Sequence, residues 1–141
     1  MLKLLVPIDG SESSNRAIDH LLKRKVAYKD GVEVHLLNVQ HPLPSLVASH
    51  VPQGNLDKHH EEEGLVCLKT AMQKLDAGGV RYTHHIVVGD AAETIARYAK
   101  EKGCDEILMG TRGHGATAGL LMGSVATKVM HLTEMPVTFV K

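Results

Sequence analysis

The sequence predicts an α/β fold: a doubly wound, five-stranded parallel sheet with helices on both faces. Three observations carry the prediction. Short apolar runs alternate with amphipathic stretches of helical period along the chain, in the order βαβαβαβαβ. The first apolar run is nearly continuous, as in strands buried on both faces. Turn residues (Asp-Gly, Gly-Gly, Gly-Asp) mark most of the changes of period. Right-handed crossovers then leave only a few doubly wound topologies, and such sheets bind ligands beyond the carboxyl ends of their strands.

Each element has its own signal. Residues 2–8 are apolar apart from Lys3, and Asp9-Gly10-Ser11 closes the run as a strand end. Ser11 suits a helix N-cap, and Ala17, Ile18, Leu21, Leu22 and Val26 recur at helical spacing up to Asp30-Gly31. Residues 32–39 read as the second strand. From about His41 to Leu56 the prolines 42, 44 and 52 exclude regular structure over most of the stretch, so an irregular loop is expected. Residues 57–75 carry Leu65, Leu68, Ala71, Met72 and Leu75 on one helical face, with an acidic start that suits the helix dipole. Gly78-Gly79 ends that helix. A third strand over 80–88, a helix over 91–102 capped by Gly103, and a fourth strand over 105–109 follow. A glycine-rich loop covers 110–122, a fourth helix 123–132 and a fifth strand 136–140.

A length of 141 residues suits one domain, residues 1–141. Sixteen basic residues balance sixteen acidic ones, which argues against nucleic acid as a partner. Only Tyr28, Tyr82, Tyr98 and Phe139 are aromatic, so stacking platforms are disfavoured as well. Cys67 and Cys104 form no C-x-x-C pair, and buried structural thiols are expected. The N-terminal apolar run is too short for a signal peptide, and no run approaches a membrane span. No membrane association and a cytoplasmic location are the expectation.

The chemistry concentrates in Gly110-Thr-Arg-Gly113-His-Gly-Ala-Thr-Ala-Gly-Leu-Leu-Met-Gly123-Ser124, where five glycines fall in fourteen positions between a strand and a helix. Glycine admits backbone N–H groups close to an anion, and successive N–H groups form an anion nest. Gly123-Ser124 then opens a helix whose first N–H groups and dipole favour negative charge. This is a phosphate site in chemical terms. Arg112 or a metal ion could supply the positive charge. The competing reading is that the glycines only make tight turns. The spacing is neither a Walker loop nor G-x-G-x-x-G.

Gly110-x2-Gly113-x9-Gly123-Ser124 resembles the G-x2-G-x9-G-(S/T) ATP-binding motif of universal stress proteins at every specified position. Val6-Pro7-Ile8-Asp9-Gly10-Ser11, Val87-Val88-Gly89-Asp90, Asp105 to Gly110 and Met135-Pro136-Val137 resemble other stretches of that family, so the likeness spans the chain. The resemblance implies strand order 3-2-1-4-5, and ATP (or ADP or AMP), often with a divalent ion such as Mg²⁺, at the ends of strands one, two and four. It implies that Pro7, Ile8 and Asp9 border the nucleotide, Asp9 toward the ribose or metal. The backbone of Val39 would read adenine, and Met109, Gly110, Arg112, Gly113, Gly123, Ser124 and Val125 would hold ribose and phosphates. It also implies a homodimer built on the C-terminal strand. Arg112 and His114 occupy positions that vary in the family.

Some residues carry a second reading. Asp9 could cap the first helix region, although the end of a central strand favours ligand contact. His59-His60 with Glu61 and Glu63, and His84-His85, could bind a cation, but solvated faces show the same spacing. Ser124 has no histidine–acid pair beside it in sequence, so no hydrolase triad is expected and no catalytic residue is assigned. The expectation is an ATP-binding regulatory protein of the stress response. A slow Mg-dependent ATPase or phosphotransferase and a ligand-free dimeric interaction module are the alternatives.

Overall fold

The structure, a computed structural model, describes residues 1–113 and 122–141. The expectations for His114 and for the two glycines at 115 and 119 lie outside the described residues. Five strands, β1 (Leu2–Pro7), β2 (Val32–Gln40), β3 (Tyr82–Val88), β4 (Glu106–Gly110) and β5 (Val137–Val140), form one sheet in the order β3-β2-β1-β4-β5. Every pairing is parallel, with Pro7 opposite Leu37, Leu5 opposite Ile107 and Gly110 opposite Val140. The fold class and strand order are those expected.

Strand alternation divides the core in two. Leu4 and Val6 of β1, Ile8 just beyond it, Val34 and Leu36 of β2 and Leu108 of β4 face one side. There they meet Ala17, Ile18 and Leu21 of α1 (Glu12–Arg24) and Leu68, Ala71 and Leu75 of α3 (Gln53–Ala77). Leu5, Leu37, Ile107 and Met109 face the other side, against Ala92, Ile95 and Ala99 of α4 (Ala91–Glu101) and Ala126 and Val129 of α5 (Ser124–Leu132). Successive strand residues thus supply opposite layers, which is why the sequence shows continuous apolar runs.

Ser11 caps α1, accepting from Ser14 N at 3.2 Å, and Asp90 caps α4, accepting from Glu93 N at 3.2 Å. Gly10, φ +87°, makes the turn from β1 into α1.

Three expectations are corrected. The stretch 41–56 is not irregular throughout: a short helix, α2 (Ser45–Ala48), follows Pro44, and α3 starts at Gln53 immediately after Pro52. Both prolines stand at the N-cap, where a fixed φ and a missing N–H do not oppose a helix. Leu65 is not on the buried face of α3; Gly64 is, because a Cβ there would lie 2.7 Å from Ile86 of β3. Val26 lies beyond the end of α1, in a 3₁₀ turn over Lys25–Ala27, and is 85% exposed.

Candidate functional site

The ends of β1, β2 and β4 and the start of α5 enclose a cleft of about 640 Å³, within the range of roughly 300–1,000 Å³ common for small-molecule sites. All eleven residues singled out from the sequence line it: Pro7, Ile8, Asp9, Val39, Met109, Gly110, Arg112, Gly113, Gly123, Ser124 and Val125. The cleft sits where strand order reverses, between β1 and its neighbours β2 and β4.

The spacing of the glycine motif has a geometric cause. Gly123 N–H donates to Thr111 O at 2.6 Å, so the chain leaves β4 and returns to the same point. The Cβ position of Gly123 is 3.7 Å from Gly113 N and 3.5 Å from Arg112 Cα. Two glycines ten residues apart in sequence are therefore neighbours in space. None of Gly110, Gly113 and Gly123 has a positive φ, so tight-turn geometry does not explain them. Close approach explains two. A Cβ on Gly110 would collide with the Ser13 carbonyl of α1, and a Cβ on Gly113 would collide with Asp9 Oδ2. Gly123 has ordinary room toward the protein, and as the N-cap of α5 it puts no side chain over the first turn.

Those features set the electrostatics. The first N–H groups of α5, beginning at Ser124, border the cleft without a side-chain cap, a partial positive charge suited to an anion. Arg112 adds a cationic side chain to the wall, while its own N–H donates to Ser13 Oγ at 3.1 Å. Asp9 lies across from these donors; its Oδ1 accepts from Ser11 N at 2.9 Å, so the carboxylate also orders the turn into α1.

In the remaining wall only His59, His60 and Glu63 stood out in the sequence, and as a possible cation site. Asn38 is buried, donates from Nδ2 to Ile8 O at 2.9 Å and accepts from Gln40 Nε2 at 2.8 Å, which ties the ends of β1 and β2 together at the cleft. A lone Asn inside an apolar strand was the signal available for it. His59, His60, Glu63 and Cys67 line the cleft from the N-terminal and middle turns of α3. Cys67 is thus half-buried in the cleft wall and not a core thiol, whereas Cys104 is buried. The Cys67 side chain follows from close docking of α3, whose backbone at Cys67 Cα lies 3.2 Å from the Cβ position of Gly10. Burial pushes the Cys67 thiol above its usual pKa, and the Asp9 charge adds to the shift. Among the described residues no group of three or more His, Cys, Asp or Glu could hold a metal ion.

A doubly wound α/β domain with a glycine-bordered cleft at its switch point defines the class. The chain belongs to the universal stress protein family, whose profile matches residues 1–141. It is 34% identical to universal stress protein YxiE of Bacillus subtilis, over 99% of this chain and 98% of that one. It is similar to the MJ0577 protein of Methanocaldococcus jannaschii: the two structures align with a TM-score of 0.85 at 29% identity, over 99% of this chain and 95% of that one. A universal stress protein from Arabidopsis thaliana, solved with AMP bound, shares the fold at a TM-score of 0.70 and 22% identity, over 100% of this chain and 92% of that one. Among the described residues, no helix is long and apolar enough to cross a membrane.

Proposed function

We propose that this chain is a nucleotide-dependent regulatory protein that binds ATP in the cleft between β1, β2 and β4. The observation that carries the reading is one juxtaposition: Gly113, Gly123 and the uncapped start of α5 meet Asp9 in a single cleft. The AMP-bound relative and the ATP-binding motif support the choice of an adenine nucleotide.

In this reading the N–H groups of Gly113, Ser124 and Val125, with Arg112, hold the phosphates. Gly110 and Met109 floor the ribose side, Pro7 and Ile8 border the nucleotide, and the backbone of Val39 reads the base between aliphatic walls. Asp9 faces the ribose or a phosphate-bound Mg²⁺, an ion that would supply charge neutralisation to the phosphates. A single carboxylate fits such an ion only if phosphate and water complete its shell. Loop geometry and partner affinity, not turnover, are the output. A homodimer through the open edge of β5 is part of the proposal.

Calorimetric titration of the nucleotide-stripped chain with ATP, with and without Mg²⁺, tests it. The expected result is saturation near one ATP per chain. Absence of heat and of any thermal shift with ATP, ADP or AMP would overturn the reading and favour a ligand-free interaction module. A second reading, slow ATP hydrolysis, is favoured by Asp9 at the cleft. It predicts ADP in proportion to protein, abolished in Asp9→Ala, and fails if the yield stops at one equivalent.

A further inference from the structure

On the α4 side of the sheet, away from the phosphate loop, four side chains form one unbroken hydrogen-bonded chain. Glu33 Oε2 is 3.0 Å from His35 Nε2, His35 Nδ1 is 3.0 Å from His85 Nε2, and His85 Nδ1 is 2.8 Å from the Tyr98 hydroxyl. The two imidazoles stack at 14° with centroids 5.3 Å apart. The chain crosses three elements: Glu33 and His35 are on β2, His85 on β3 and Tyr98 on α4.

One end determines the direction of every proton. An ionised carboxylate only accepts, so His35 Nε2 carries the hydrogen. His35 Nδ1 is then an acceptor, His85 Nε2 the donor to it, and His85 Nδ1 the acceptor from the Tyr98 hydroxyl. Both neutral rings are therefore Nε2–H tautomers. One added proton can be housed by reversal: His35 Nδ1–H donates to His85 Nε2, His85 Nδ1–H donates to the Tyr98 oxygen, and the phenol proton turns outward. A second proton cannot, because it sets N–H against N–H across the same 3.0 Å.

We propose that this chain is a proton-operated clasp, which holds α4 on the β2–β3 edge until the histidine pair takes its second proton, when repulsion between the two rings drives His85 off His35 and breaks its alignment with Tyr98. The groups around the clasp work against that proton. Lys3 of β1 lies 3.3 Å from Glu33, competing for its charge, and donates to the Lys102 carbonyl at the end of α4 at 3.2 Å. Lys102 Nζ stands 5.2 Å from the Tyr98 ring centroid, and His84 adjoins on β3. Burial first, then His35, Lys102 and His84, hold the His85 ring below its usual pKa. The other end of α4 supplies Ala91 and Ile95 to the cleft wall, so loosening α4 weakens nucleotide binding. That last consequence rests on the nucleotide reading; the clasp does not.

The test uses the full, nucleotide-free chain labelled with ¹⁵N. Imidazole spectra at about pH 8 should show two Nε2–H tautomers, and acidification should protonate the pair in two separated steps. Amide exchange of α4, corrected for intrinsic rate, should speed about tenfold or more with the second step. Tyr98→Phe should keep the two-step titration but remove its effect on α4, and His85→Gln should remove both. An Nδ1–H tautomer on His85 at high pH, a common midpoint for both rings, or α4 exchange indifferent to the second step would each overturn the clasp. Should His85→Gln fail to fold, wild type and Tyr98→Phe decide it alone. Failure of ATP to bind would overturn the nucleotide reading and leave these measurements untouched.

Discussion

Gly113 and Gly123 belong to one motif but answer to different constraints. At Gly113 the missing side chain makes room for the Asp9 carboxylate, so Gly113→Val must displace either Asp9 or the loop. The expected outcome is loss of ATP binding by calorimetry with an unchanged far-ultraviolet spectrum. At Gly123 the protein itself leaves ordinary space. Gly123→Ala should therefore leave urea stability within about 0.5 kcal/mol, as for a substitution that meets no packing conflict, while weakening ATP by roughly tenfold. Equal affinity in the variant would show that no ligand atom needs that space. Gly10 differs from both: its φ of +87° and the Cys67 backbone beside it make the residue structural. Gly10→Ala should lower stability by about 1–2 kcal/mol, the left-handed penalty of a residue with a Cβ.

Among elements, α4 is the one that joins the two halves of the functional picture. Its cap, Asp90, holds the end that lines the cleft, and Tyr98 holds the other. Asp90→Ala should lower stability by about 1 kcal/mol in urea titration, the usual effect of an N-cap loss. Long α3 shows why element boundaries were harder to read than element types. Its helical period was clear over Leu68, Ala71 and Leu75, which face the sheet. Its turns up to Cys67 border the strand ends, where His60, Glu63 and Cys67 face a cleft and no apolar stripe forms. Prolines before the helix then suggested a loop, although at the N-cap they are compatible with one.

At the scale of the molecule, the pH response follows from groups that the fold brings together. The His85 ring is held below its ordinary value of 6.5, chiefly by burial, so the unfolded chain binds its proton more readily than the folded one. The stability it contributes is present above 6.5 and is lost as the pH falls through the folded value. Urea unfolding at about pH 7.5 and pH 5.5 should show this loss, and His85→Gln should reduce the difference; an identical pH dependence in the variant would remove His85 as its source. Strand order places β3 and β5 at the two sheet edges. Sedimentation over a wide concentration range should give a dimer mass if β5 pairs with a second copy, and a constant monomer mass would exclude it.

The sequence by itself determined the fold class, because buried parallel strands and amphipathic helices announce themselves by period, and it brought out the glycine motif, because glycine clustering and spacing are local. The eleven residues it nominated do share one cleft. Three things needed tertiary structure. Asp9 facing Gly113 across more than a hundred residues depends on β1 lying beside β4. The α3 wall depends on Gly64 letting that helix settle onto Ile86. The Glu33–His35–His85–Tyr98 chain depends on the register of β2 with β3 and on α4 crossing above both. In the sequence His35 was a polar residue in one strand, and His85 was half of an adjacent pair with His84 in another. Only parallel pairing turns them into neighbours, since contact between distant segments is a property of the fold and not of any window of the chain.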